Sequence, residues 1–278
     1  MFTMNWLSSN EARFGNKIFA YFFLIYLNKQ TGRECAAAEW VGNQLFQLPL
    51  PTTSKPIEKY INVNLERMTD RNSTPLNNVV LLETLARQTR LPVEIRGSFQ
   101  YNTDTLQAGD KELFLSTFQL NRTLKKQFDN FVFESTGGLD EIIAIHYRAG
   151  DYLSFNKHPL FWTPPFESII ELTKLLIASF PLAKLYLASD SLSYKTHFRE
   201  VFPEKTKWCN SVSEPFESDF LLDFIMLMQA NLVVAANSSF SIGACLMNPK
   251  AGSFVRPSNR DGNYVLFDPW NSPILIQS

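Results

Sequence analysis

Cysteine is scarce in this chain, three among 278 residues. Cys35, Cys209 and Cys245 are odd in number and far apart, with no C-x-x-C among them. That excludes a disulfide framework and a zinc site of the usual spacing, and it fits a reducing, cytoplasmic setting. A charge excess is also missing: 26 Lys and Arg stand against 27 Asp and Glu, a formal net charge of −1. Nucleic-acid binders normally carry a basic excess, so that class is set aside. The most apolar run, Ile18 to Leu27, has ten residues, and a bilayer span needs about 20. It lacks the cleavage pattern of a secretion signal and reads as a buried helix. Peripheral membrane association stays open. No G-x-x-x-x-G-K, G-x-G-x-x-G or G-x-S-x-G occurs, which removes the commonest kinase, dehydrogenase and hydrolase readings.

What is present is a folded chain, 45% hydrophobic and 19% charged, long enough for one large domain or two ordinary ones. Most of its 24 Phe belong in a core. Residues 15–30 predict a helix buried on most sides, stopped at Thr31-Gly32. RECAAA reads as a short strand, and the Pro-rich Trp40 to Pro56 stretch as a surface loop. Asn77 to Arg90 predicts a helix with Val80, Leu81, Thr84 and Leu85 at helical intervals, and VEIRGSFQY a strand. Two further helices lead to Gly137-Gly138, the expected hinge between lobes at 1–138 and 139–278. Beyond it the pattern alternates: strands at 141–147, AKLYLASD, LVVAA and finally GSFVRP, with helices at 165–180, 194–201, 217–230 and SIGACLM. Such alternation predicts an α/β fold with doubly wound parallel sheets, two Rossmann-like lobes facing across a cleft. The apolar tail NYVLFDPWNSPILIQS should pack back on the body.

Two strands end abruptly in polar residues, where open parallel sheets bind ligands. EIIAIHYRAGDY delivers His146, Arg148 and Asp151; NLVVAANSSFS delivers Asn237, Ser238, Ser239, Phe240 and Ser241. Arg supplies a permanent, planar, forked charge suited to a diphosphate; its ordinary alternative is a surface ion pair with Asp151. NSSFS is either a plain helix cap or a phosphate site built from amides and hydroxyls at a helix start. Asp190, in ASDS, either accepts guanine hydrogens or caps the following helix. His146 either shares a face with Arg148 or is a structural hydrogen-bonder, and neither His158 nor His197 stands at a metal-ligand spacing from it. RFGN, Arg13 to Asn16, opens another helix, where Gly15 permits close approach and Asn16 presents an amide to a sugar or phosphate. No D-x-D is present, so the expected reaction is metal-independent.

Together these residues resemble the alpha-1,2-fucosyltransferase family and, more distantly, the protein O-fucosyltransferases. The family's H-x-R-R-G-D stands here as His146, Tyr147, Arg148, Ala149, Gly150, Asp151. Its G-N-Q-x-F is similar to Gly15, Asn16, Lys17, Ile18, Phe19; its G-Y-F-Q to Gly97 to Gln100; and NSSFS follows an acidic-apolar helix at Asp219 to Gln229. The resemblance covers about residues 12 to 257. It implies a GT-B fold and inverting transfer of L-fucose from GDP-fucose to a glycan acceptor, with no separate cofactor. Arg148 then falls at the donor diphosphate, and His146, Asp190 and Ser238 to Ser241 around the guanosine and phosphates.

Two departures stand out. Ala149 replaces the signature's second arginine, and Lys17 the usual Gln. In the expected mechanism the leaving diphosphate gains charge, and Arg148 with Ser238 and Ser239 holds it more strongly in the transition state than before. Asp151 is the first candidate for the base that takes the acceptor proton, and Glu11 the second. The acceptor side is expected in the first lobe. Transfer from another nucleotide sugar, and a non-catalytic nucleotide- or glycan-binding relative, are the alternatives.

Overall fold

The computed structural model describes residues 1–9, 13–53, 61–65, 75–89, 91–97, 99–136, 141–154, 158–206 and 219–276. Glu11, Ser98, the Gly137-Gly138 pair and Cys209 lie outside the described residues. The chain divides into two compact units, Met1–Asn121 with Trp270–Leu275, and Arg122–Pro269 with Ile276–Ser278.

The first unit runs β1 (Phe2–Met4), α1 (Phe14–Thr31), β2 (Cys35–Ala37), α2 (Gly42–Leu45), β3 (Ile61–Leu65), α3 (Pro75–Gln88), β4 (Val93–Gly97) and α4 (Ala108–Thr117). Its four strands are all parallel, in the order β2-β1-β4-β3. Every side chain from Ile18 to Leu27 is buried, which is why α1 shows no polar face in sequence. It ends where Gly32 takes a φ of 64° and its N–H bonds the Asn28 carbonyl, a left-handed stop that glycine adopts without Cβ strain. Glu94 on β4 pins the chain leaving β1. Its buried carboxylate accepts Thr3 Oγ1–H at 2.8 Å, Asn5 N–H at 2.8 Å and the Asn5 amide at 3.0 Å.

One expectation fails in this unit, and two details were not foreseen. The stretch after β2 is no simple surface loop: it contains α2, and Trp40, Leu45 and Phe46 are buried. Trp40 packs on Phe14 and Tyr21, and Phe46 on Phe118; the aromatics hold it in the core while its prolines only prevent a longer regular element. On α3, Val80 and Leu81 face outward at 61% and 47% exposure, whereas Asn78, Val79 and Leu82 are buried. The helix forms where its intervals predict, and its buried side runs through Asn78, Val79 and Leu82. Strands β1 and β3 had no counterpart in the sequence reading, although INVNL at β3 alternates as a half-buried strand should.

The tail returns to this unit. Trp270 meets the edge of Phe114, Ser272 N–H donates to Thr103 Oγ1 at 3.0 Å, and Leu275 is buried.

The second unit runs α5 (Arg122–Thr136), β5 (Ile142–Tyr147), α6 (Gly150–Ser154), α7 (Phe166–Ser179), β6 (Lys184–Ser189), α8 (Leu192–Val201), α9 (Pro203–Thr206), α10 (Asp219–Gln229), β7 (Leu232–Val234), α11 (Ser239–Met247), β8 (Ser253–Pro257) and β9 (Tyr264–Leu266). Its sheet order is β6-β5-β7-β8-β9. The first four strands are parallel, and β9 adds an antiparallel edge, Val255 opposite Leu266; GSFVRP is therefore not the final strand. On one face Ile143, Ile145, Leu185, Leu187 and Val234 pack with Phe166, Ile169 and Phe198. β5, first in the chain among these strands, sits between β6 and β7, so the order reverses at β5/β7. In open parallel sheets the space beyond the strand ends at such a reversal is the usual ligand position.

Candidate functional site

The β5/β7 reversal is flanked by the residues that follow each strand. β5 ends at Tyr147, and Arg148 leaves it directly into the one-and-a-half-turn α6. The Arg148 side chain is only 12% exposed. Its Nη2 donates to Asp151 Oδ1 at 2.7 Å, its Nη1 pairs with Asp190 Oδ2, and its guanidinium lies over the Tyr152 ring, 5.2 Å from the centroid. A planar cation so surrounded is fixed in direction.

Asp190, immediately past β6, also accepts the Ala149 N–H at 2.9 Å through Oδ1. It is not the cap of α8; Ser191 holds that position. The capping alternative is therefore corrected: the carboxylate turns toward β5. Gly150 has a φ of 28°, and a Cβ there would stand 2.3 Å from Asp190 Oδ2, so glycine is required by both the backbone and its neighbour.

His146 is 4% exposed, and its Nδ1 has no hydrogen-bond partner among the described residues. Its ring packs on Phe240, with centroids 5.2 Å apart. Burial first, then the charges of Arg148 and Lys195, push its pKa down to about 3, so the imidazole is neutral.

Across the reversal, β7 leads through Asn237 into α11. Ser238 is the N-cap, its hydroxyl accepting the Phe240 N–H at 3.4 Å, and the helix begins at Ser239, not near Ser241. Ser241 is wholly buried. Its hydroxyl donates to the Ala236 carbonyl and accepts the Ala236 N–H, both at 3.1 Å. It fastens the turn from within and offers no hydroxyl outward. Asn237 Nδ2 donates to the Leu160 carbonyl at 3.1 Å.

In the first unit, Gly15 is buried in the opening turn of α1, and Asn16 Oδ1 accepts the Gln100 amide at 2.7 Å. Lys17 Nζ donates to the Ser9 carbonyl at 2.7 Å, tying the segment after β1 to the helix, and burial lowers its pKa.

One cluster had no place in the sequence reading. Asp223 on α10, 5% exposed, accepts Tyr186 Oη–H at 2.7 Å, Ser189 N–H at 3.2 Å and Lys195 Nζ at 3.1 Å. Burial raises its pKa to about 6 against the opposing pull of Lys195 and the hydrogen bonds. The signal was a lone acid within the apolar run FLLDFIMLM; nothing in sequence marks Lys195 as its partner. Among the described residues, no group of three or more His, Cys, Asp or Glu could hold a metal ion, and no helix is long and apolar enough to cross a membrane.

No family model and no curated protein matches the chain. Solved structures do. The NodZ alpha-1,6-fucosyltransferase soaked with GDP-fucose is 14% identical with a TM-score of 0.56, covering 96% of this chain and 98% of that one; the NodZ enzyme is from Bradyrhizobium. POFUT1 in its apo form is 13% identical with a TM-score of 0.60, covering 91% and 97%. POFUT1 in complex with GDP-fucose is 14% identical with a TM-score of 0.60, covering 90% and 95%. Likeness over nearly the whole of both chains gives this protein the GT-B fold.

Proposed function

We propose that this GT-B chain is an inverting fucosyltransferase that moves L-fucose from GDP-fucose to a glycan hydroxyl, forming an alpha-1,2 linkage without a divalent cation. The observation that carries this reading is the placement of Arg148. A nearly buried guanidinium, held by two carboxylates, follows β5 at the strand-order reversal where such sheets take ligands. Neighbouring solved structures of the same fold carry GDP-fucose. The order H-Y-R-A-G-D then NSSFS favours the alpha-1,2 family among fucosyltransferases.

In the reaction, the acceptor hydroxyl attacks the anomeric carbon as the bond to the diphosphate breaks. The proton passes to a base, and GDP leaves with the extra charge. Arg148 and the amides opening α11 meet that charge as it develops, which lowers the barrier more than it tightens ground-state binding. Asp151 is the base candidate whose position is described. It is bonded to Arg148, so it takes a proton only after the diphosphate replaces it on the guanidinium. Glu11 holds the second place. Acceptor recognition is assigned to the first unit.

Incubating the protein with GDP-fucose, GDP-mannose and UDP-sugars, with an acceptor array and with EDTA, tests the reading by mass. Fucose transfer that survives chelation is the expected result. Transfer from another donor establishes a different glycosyltransferase. GDP binding without any turnover establishes a non-catalytic relative.

A further inference from the structure

Asp190 has three relationships that point in one direction. Its Oδ1 accepts the backbone N–H of Ala149 at 2.9 Å, and its Oδ2 pairs with the Arg148 guanidinium. The same Oδ2 occupies the space where a side chain on residue 150 would begin, 2.3 Å from the Cβ position. One carboxylate thus grips the side chain of residue 148 and the main chain of residue 149, and closes on the missing side chain of residue 150. Arg has several freely rotating bonds, and holding it in one direction without a partner costs conformational entropy. A fixed acceptor at the end of a neighbouring strand removes that cost before a ligand arrives.

Resting on the diphosphate reading of Arg148, we propose that Asp190 is the strut that aims this guanidinium and that Gly150 is the gap admitting it. Asp190 then serves the nucleotide through Arg148, as a positioning residue, with no contact to the base. The carboxylate end of β6 becomes part of the diphosphate site, and guanine is read elsewhere. The arrangement also explains why a glycine stands directly after Ala149: any Cβ would push the strut off the arginine.

The test separates a strut from a base contact by changing the ligand. Inorganic pyrophosphate, GDP and inosine diphosphate, which lacks the guanine 2-amino group, are titrated calorimetrically against wild type, Asp190→Asn, Gly150→Ala and Arg148→Ala. Asn keeps the size of Asp and an oxygen for the Ala149 N–H, but no charge for the arginine. The strut predicts that Asp190→Asn weakens all three ligands by the same factor. It also predicts a fall in kcat on the order of 10²-fold, as misplacement of a reacting contact by about 1 Å produces, with a smaller change in donor KM. Gly150→Ala should repeat that pattern, and adding Asp190→Asn to it should cost little more, because both remove one contact. If Asp190→Asn weakens GDP but leaves pyrophosphate untouched, Asp190 is a base contact and the strut is wrong. If Arg148→Ala weakens pyrophosphate while Asp190→Asn does not, the strut fails and the diphosphate reading stands. Should Arg148→Ala itself bind pyrophosphate as wild type does, the diphosphate reading fails first.

Discussion

Asn16 accepts a 2.7 Å hydrogen bond from the side-chain amide of Gln100, joining the first turn of α1 to the segment after β4 across 84 residues of sequence. The two residues belong to separate short motifs, RFGN and GSFQ, whose common purpose is invisible until the sheet brings them side by side. Both are partly buried, so the bond fixes two loop ends at the carboxyl side of the first sheet. Breaking it by Asn16→Ala should cost about 1 kcal/mol, a fall of roughly 2–4 °C in melting temperature for a chain of this size. The double variant Asn16→Ala/Gln100→Ala should melt close to the single one. Additive losses in a thermal scan would mean that the two side chains act separately.

Arg148→Lys should fail nearly as badly as Arg148→Ala. The guanidinium uses separate nitrogens for Asp151 and Asp190, a fork that a single ammonium cannot reproduce. Removing a donor aimed at developing charge typically lowers turnover on the order of 10²–10³-fold, and both variants should fall in that range under saturating donor. A lysine enzyme with near-normal kcat would show that only net charge matters at this position, and the fork argument would be lost.

Ala149→Arg, which restores the doubled arginine of the resembling family, should unfold the protein rather than improve it. Ala149 is 1% exposed and its methyl lies in the core with Ile143, Phe166 and Phe198. A guanidinium directed there loses its hydration among apolar side chains, a penalty of several kcal/mol. That is a large part of the total stability of an ordinary domain. The single arginine is therefore built into the packing of this fold. Soluble expression of Ala149→Arg with an unchanged denaturation midpoint would refute this account.

The second unit was the more legible half, and the reason is physical. Its strands β5, β6 and β7 are buried almost throughout and α7 and α8 each present one buried side, so apolar runs and helical periodicity alternate cleanly. Strand ends then point to His146, Arg148 and Asn237. In the first unit, β1 is three residues long and the core is completed by aromatics in irregular segments such as Trp40 and Phe46, which no period reports. Contacts that link distant elements through charge were also hidden. By its local sequence Asp190 is either a guanine contact or a helix cap, and only its bonds to the Ala149 N–H and the Arg148 guanidinium show that it reaches the residues after β5. Ser241 reads equally as a phosphate hydroxyl or as part of a plain helix start, and the turn spends that hydroxyl on its own backbone.

His146 should make the protein acid-sensitive in a way that His146→Gln removes. The imidazole is enclosed at the end of β5, its Nδ1 without a partner among the described residues, and burial with the nearby Arg148 and Lys195 charges holds its pKa at about 3. In the unfolded chain the group titrates near 6.5. Between these values the unfolded state binds the proton and the folded state does not, so stability rises with pH through that window. The contribution is complete above about pH 6.5 and declines steadily as pH falls toward 3. Asp223 works in the opposite sense: its folded pKa of about 6 lies above the ordinary 3.8, so its share of stability falls as pH rises between those values. Comparing wild type with His146→Gln cancels most of the Asp223 effect, because Asp223 is present in both. Urea midpoints measured at pH 7.5, 6 and 5 should then show the wild-type advantage shrinking, or the variant's deficit disappearing, as the solution is acidified. A difference that stays constant over that range would mean that His146 keeps its ordinary pKa, and with it access to water.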